Sequence, residues 1–273
     1  MNRWREGKAQ LGGTPRWAQL KLRTTFLFLV AAAFAAAGCD GIDVHAAGVE
    51  GSFERTLTVA GPVDLDVRTG SGDIQVRAGS DNSVHVTGHI TARPSFNNSD
   101  AQQRVDQIKA NPPVTQNGNA VHIGVTGNDS LYQNVSISYE VVVPANAKVQ
   151  ARSGSGDIGV ALNAAELDAR TGSGDINVLG AAGSFSAQTG SGSIDAEQTV
   201  QGPVQIKTGS GDVTLKLASD AAFSLSVRTG SGSIHTSHPI ADSSRERNRL
   251  EGFVRGGGPA VEIKTGSGDV TIN

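Results

Sequence analysis

The chain predicts an all-β fold, a parallel β-solenoid of about 18-residue rungs. Two observations carry this. One five-residue word opens at Thr69 as Thr-Gly-Ser-Gly-Asp and returns at Ser153, Thr171, Thr189, Thr208, Thr229 and Thr265, always around Gly-Ser-Gly. From Ser153 on, the steps are 18, 18, 19, 21 and 36 residues, the last being twice the first. The words are also flanked by period-two runs, such as Leu167 and Ala169 before the corner and Ile176 and Val178 after it. Alternation rich in β-branched residues marks strands with one buried face. Two short strands joined by a corner cannot bury that face alone, so the units must stack.

Taken in order, residues 1–38 read as a lipoprotein-type signal peptide. A basic lead containing Arg3, Arg5, Lys8, Arg16, Lys21 and Arg23 precedes the small, apolar stretch Thr24 to Ala37. That stretch has the length of a signal h-region and is short for a membrane span. It ends Ala36-Ala37-Gly38-Cys39, which resembles a lipobox and makes Cys39, the single cysteine, the expected lipidation site. Acyl chains there would anchor the protein to a membrane without spanning it. The expected location is the bacterial cell envelope, on the extracytoplasmic side of a membrane. The leader holds six Lys/Arg and one Glu, so the remainder carries −8 where the whole chain carries −3. An acidic body argues against nucleic acid as a partner.

Residues 39–51 read as a tether. Residues 52–150 read as an irregular β region: Leu57, Val59, Val63, Leu65, Val67, Ile74, Val76, Val84 and Val86 alternate, then Pro94 to Asn119 breaks the pattern. Inside the break, Ser99-Asp100 opens a short helix near 99–110, with Val105 and Ile108 on one face and Pro112-Pro113 as a stop. Residues 151–273 read as the regular array. The polar stretch 241–258 interrupts it and is expected to be one degenerate rung plus a loop insertion. Its Arg245, Arg247, Arg249 and Arg255 are the candidate contact loop. The chain stops in strand pattern at Thr271–Asn273, an expected open edge for self-association.

Each corner carries charge on both sides. Arg68, Arg152, Arg170, Lys207 and Lys264 precede the word, and Asp73, Asp157, Asp175, Asp212 and Asp269 close it. A column of like charges repels itself, so each cation is expected to neutralise its corner acid. Two rungs depart: Gln188 is matched with Ser193, and Arg228 with Ser233.

Several chemistries are disfavoured. A phosphate-binding glycine loop sits between a strand and a helix, whereas here strand follows strand. Calcium β-rolls repeat every nine residues with converging acids; here one acid per longer unit stands near a cation. The pairs His85/His89 and His235/His238 come without cysteine, so no metal or cofactor is expected. No Gly-x-Ser-x-Gly or His-Glu-x-x-His occurs, and no catalytic residue is nominated. Both tryptophans, Trp4 and Trp17, lie in the leader, leaving few aromatics for stacking on sugars.

The Thr-Gly-Ser-Gly-Asp-Ile/Val words, the run Ile137 to Pro144 leading into Ala151–Asp157, and Gly256-Gly257-Gly258-Pro259 resemble a bacterial family. It is the β-strand-repeat domain labelled putative adhesin, a domain of unknown function, and the resemblance spans Ser52 to Asn273. It implies an extracytoplasmic β-solenoid and brings no catalytic residues. The expected role is non-enzymatic: an adhesin or envelope scaffold making many weak contacts with an envelope protein or glycan through side chains such as Gln75, Asn177 and Thr214. A calcium- or glycan-binding module is the alternative, and a polysaccharide-active enzyme a third reading.

Overall fold

The computed structural model describes residues 48–80, 82–94, 98–125 and 129–273. Residues 1–38, expected to be a signal peptide, and residues 39–47 of the expected tether, Cys39 included, lie outside them. The unit Val44–Asn273 is built from two sheets enclosing a single aliphatic core.

The first strands are β1 (Val49–Thr58), β2 (Asp64–Ser71), β3 (Ile74–Gly79) and β4 (Ser83–Ala92), followed by helix α1 (Asn98–Ala110). Next come β5 (Val114–Asn117), β6 (Ala120–Ile123), β7 (Val135–Pro144), β8 (Lys148–Ser155), β9 (Ile158–Ala161), β10 (Glu166–Ser173) and β11 (Ile176–Ala181). The chain continues through β12 (Ser184–Ser191), β13 (Ile194–Gln198), β14 (Val204–Ser210), β15 (Val213–Lys216), β16 (Phe223–Ser231) and β17 (Ile234–Thr236). It ends with β18 (Ala241–Glu246), β19 (Arg249–Val254), β20 (Ala260–Ser267) and β21 (Val270–Ile272).

Each rung lays one strand in an 11-stranded sheet, turns at Gly-Ser-Gly, and lays the next in a 10-stranded sheet. Pairing along the array is parallel and in register: Leu167 faces Val149 and Phe185, and Ile176 faces Ile158 and Ile194. The alternation therefore becomes columns, with Val149, Leu167, Phe185, Val204 and Val261 all buried. At the corner the Thr171 hydroxyl donates to the Gly156 carbonyl of the preceding rung at 2.9 Å, and Thr189 donates to Gly174 in the same way. From Ser153 on, the word's Ser or Thr is thus buried as a rung-to-rung clip.

Three features correct the sequence reading. Residues 49–51, expected to close the tether, belong to a strand instead, since Val49 already pairs with Ala92 as β1 runs antiparallel to β4. The final rung is not the end of the stack. Strand β20 lies between β14 and β16, and β21 between β15 and β17, so Thr271 has neighbours on both sides and offers no open edge. The chain skips one slot after β15, builds the outermost rung β16–β17, and returns to fill the gap.

The stretch 241–258 is neither a rung nor a simple loop. It contains the β18–β19 hairpin, with β19 antiparallel to β16. Arg245 donates to the Ile234 carbonyl on edge strand β17 at 3.1 Å. A stacked array needs a polar cap on its last rung. Here that cap precedes the last-written rung, because the hairpin borders the outermost rung in space. A register shift between Ala241 and Ser244, with charged Arg245 and Glu246, blunts edge strand β18.

The other end is capped by α1, whose Ala101, Val105 and Ile108 are buried. The helix begins at Asn98; the side chain of Ser99, its expected cap, lies outside the described residues. Phe53 lies over Gly88 and meets Tyr139 edge-on at 6.4 Å between ring centres.

Candidate functional site

The outward positions of the 11-stranded sheet form the most highly charged registered face. The residue before each word's Thr or Ser points outward and is stacked on its counterpart. Arg68 is paired with Arg152, Arg152 with Arg170, and Arg170 with Gln188. The row then passes through Lys207, Lys264 and Arg228 to Arg249 of the cap. It holds seven cations, broken once, at Gln188.

A second row runs beside it, two residues earlier on each word strand. It contains Asp66, Gln150, Asp168, Ser186, Gln205, Glu262 and Ser226, and ends at Glu251 of the cap. Four of these are acids. Each lies within reach of the cation row. Arg68 Nη2 meets Asp66 at 2.8 Å, Arg152 meets Asp168 at 3.0 Å and Arg170 meets it at 2.9 Å. Lys264 pairs with Glu262, and Arg249 with Glu251 at 2.7 Å. His122 of β6 closes the row with Nδ1 3.2 Å from Asp66.

This corrects the expected corner pairs. Among the described residues, Arg68, Arg152, Arg170 and Lys264 make their ion pairs with strand acids, and Asp73, Asp157, Asp175, Asp212 and Asp269 make none. The corner acids bond to backbone instead. Asp73 Oδ1 accepts from the Asp157 amide at 2.9 Å, Asp157 from Asp175 at 2.8 Å, and Asp175 from Ser193 at 2.7 Å. Asp212 accepts from Asp269, and Asp269 from Ser233. The reason is direction. The cation lies on the sheet's outer face, whereas the acid sits past the turn, where the next rung's amide is nearest. Ser233 needs no carboxylate because it occupies the outermost rung, with no further corner to reach.

The Asp66 cluster gives a pH prediction. Burial opposes its ionisation, but hydrogen bonding and charge from Arg68, with help from His122, outweigh that and hold its carboxyl below the ordinary 3.8. The folded value lies below the unfolded one, so the stabilisation is complete above about pH 4 and is lost as pH falls through the folded value. Asp66→Asn is expected to lower Tm near neutrality and to flatten its decline below about pH 4, read by thermal melts across that range.

A shallow groove of about 700 Å³ opens on this face. Its walls include Glu166, Asp168, Arg152 and Arg170 on one side and Gln205 and Glu262 on the other; Ser184 and Ser186 form the floor. The trough exists because β12 carries Ser184 and Ser186 where β10 carries Glu166 and Asp168 and β14 carries Gln205.

The candidate contact loop is largely engaged in the cap. Arg245 holds Ile234, Arg255 donates to the Ser219 carbonyl at 3.0 Å, and Arg249 extends the cation row. Arg247 stands exposed in the hairpin turn. Gln75, Asn177 and Thr214 do share one row, on the other sheet, with Gly159 and Asp195 between them. The sequence reading missed Asp66, Asp168, Glu262 and Glu251. Their signal was the acid-x-cation spacing of Asp66/Arg68, Asp168/Arg170 and Glu262/Lys264, which places both side chains on one face of a strand.

Residues 56–273 match the family model described as Toastrack DUF4097. Among solved structures the chain is similar to a putative cell adhesion protein from Clostridium sporogenes, at 13% identity over 82% of this chain and 99% of that one, with a TM-score of 0.43. It is also similar to a putative adhesin from Bacteroides fragilis, at 11% identity over 82% and 97% of the two chains, with a TM-score of 0.28. No curated protein matches it. With its stacked rungs and glycine corners, the chain belongs to the Toastrack DUF4097 family, a β-solenoid-like repeat domain of unknown function.

Proposed function

We propose that this is a non-enzymatic, lipid-anchored protein of the bacterial cell envelope, an adhesin-like or scaffold protein that binds through a sheet face. The observation that carries the reading is the registered cation row, a broad repeated surface suited to many weak contacts acting together. The leader of residues 1–38, followed directly by Cys39, supports the anchor. Among the described residues, no helix is long and apolar enough to cross a membrane.

The groove does gather acids, which raises the question of glycosidase chemistry. Such chemistry needs one carboxylic acid with a raised pKa to protonate the leaving group. One of the groove acids, Glu262, stands in the opposite state. Asp168 is clamped by Arg152 and Arg170, and Glu262 is pushed below its ordinary value, chiefly by its hydrogen bond from Lys264. Calcium is disfavoured at the corners, where one oxygen of each acid already accepts a backbone amide from the next rung.

Fractionation of cells expressing the full chain tests the role. The wild type is expected in the membrane fraction and Cys39→Ser in the soluble extracytoplasmic fraction. Purified Cys39→Ser protein is expected to co-sediment with native envelope without releasing new reducing ends. Membrane association indifferent to Cys39 would remove the anchor, and release of sugar ends would remove the non-enzymatic reading.

A further inference from the structure

We infer that the ligand of this face is a linear acidic polysaccharide lying across the rungs along the cation row. The inference rests on the binding role proposed above and names the partner's chemistry.

Charge comes first. The row holds seven cations and meets Glu246 of β18 at its end; with Lys148, Asp64 and Glu166 the outward face carries eight cations and seven acids, on a chain whose part beyond the leader carries −8. Apart from Glu246 at its end, the acids stand beside the row and not in it. They fix the cations' positions, as Asp168 does by holding Arg152 and Arg170 together. A fixed array of like charges on an otherwise acidic molecule selects an anion at that face.

Geometry comes next. Neighbouring strands are about 4.8 Å apart, so the eight strands from Arg68 to Arg249 span roughly 34 Å. A small anion would use one or two of these positions, whereas a linear polymer uses them all. Between the acids stand neutral hydrogen-bonding groups. Gln150 and Ser186 have no side-chain partner among the described residues, and both border the groove. Hydroxyls of a sugar chain match them while its anionic groups meet the cations. Among the described residues no aromatic stands in the row: Phe185 is buried, and Phe253, at the capping hairpin end of the face, is the one aromatic among the large exposed hydrophobics. Single-stranded nucleic acid relies on such stacking, and a lipid surface on apolar insertion.

The break at Gln188 makes the inference testable by gain as well as loss. Soluble Cys39→Ser protein is titrated with polygalacturonate, and with dextran, single-stranded DNA and phosphatidylglycerol vesicles as comparisons. Polygalacturonate is expected to bind, to weaken about tenfold from low to physiological salt, and to exceed the other three. The double change Arg170→Gln with Lys207→Gln is expected to reduce affinity about tenfold, whereas Arg170→Lys retains most of it. Gln188→Arg, which completes the row, is expected to tighten binding several-fold, and it cannot be confused with loss of fold. Polygalacturonate affinity unmoved by Gln188→Arg and by the double change overturns the inference. So does equal or tighter binding of dextran, DNA or vesicles. If polygalacturonate fails while envelope co-sedimentation persists, the ligand class is wrong and the binding role stands; if both fail, the role itself is wrong.

Discussion

Gly174→Ala is expected to unfold much of the array, at a cost of about 3–5 kcal/mol, whereas Gly70→Ala costs less than about 1 kcal/mol. Both residues belong to the same repeated word, so composition does not distinguish them. Gly174 has a φ of +142°, and a Cβ there would sit 2.3 Å from the Gly156 carbonyl oxygen of the neighbouring rung. The nearest obstacle is the backbone of the neighbouring rung, which cannot rotate away. At Gly70 nothing lies within 4 Å of an added Cβ, and the backbone is not in the left-handed region. Urea denaturation followed by circular dichroism checks the pair. Similar midpoints for the two variants would mean that the corners do not stack as closely as the carbonyl distance requires.

Ending the chain at Gly258 is expected to be still more damaging than any single corner change. In a solenoid written strictly in order, loss of the last rung removes one rung-to-rung interface and exposes the next. Here the lost segment, β20 and β21, is flanked on both sides in both sheets. Its removal breaks two interfaces and separates the outermost rung and its hairpin cap from the array. Ile263 and Ile272 are fully buried, so their neighbours on either side would face water. Hydrogen exchange is the discriminating measurement. In the truncated chain, amides in β16 and β19 are expected to lose protection by several orders of magnitude, while β8 to β12 retain theirs. Uniform fraying from β20 inward, with β16 still protected, would contradict the inserted order. A milder version, Ile263→Ala, is expected to cost about 2–5 kcal/mol, the range for a central core position.

The unit was legible in the sequence because its signals are local. The glycine corners and the alternation of Leu167, Ala169, Ile176 and Val178 follow from steric and burial requirements within one rung. The helix from Asn98 was legible for a similar reason, since Val105 and Ile108 recur at helical spacing before a Pro-Pro stop. The candidate site was half legible. The cation column could be read because identical word positions stack. Its partners could not, because a carboxylate five residues on and one two residues back are both near in text. Only the turn decides which of them shares the cation's face.

The rung, its length and the fact of stacking follow from the order of amino acids alone, since period two and a period near 18 leave one way to bury an aliphatic face. Which rung lies beside which was decided in three dimensions. Every rung writes nearly the same word, so any would fit against any other, and pairing preferences alone leave the order open. That order was settled by the unequal parts. The long excursion from β3 to β8 returns the chain beside β2, where Asp73 meets the amide of a residue 84 positions further on, Asp157. The hairpin from Ala241 to Val254 seals one end and forces the final rung inward.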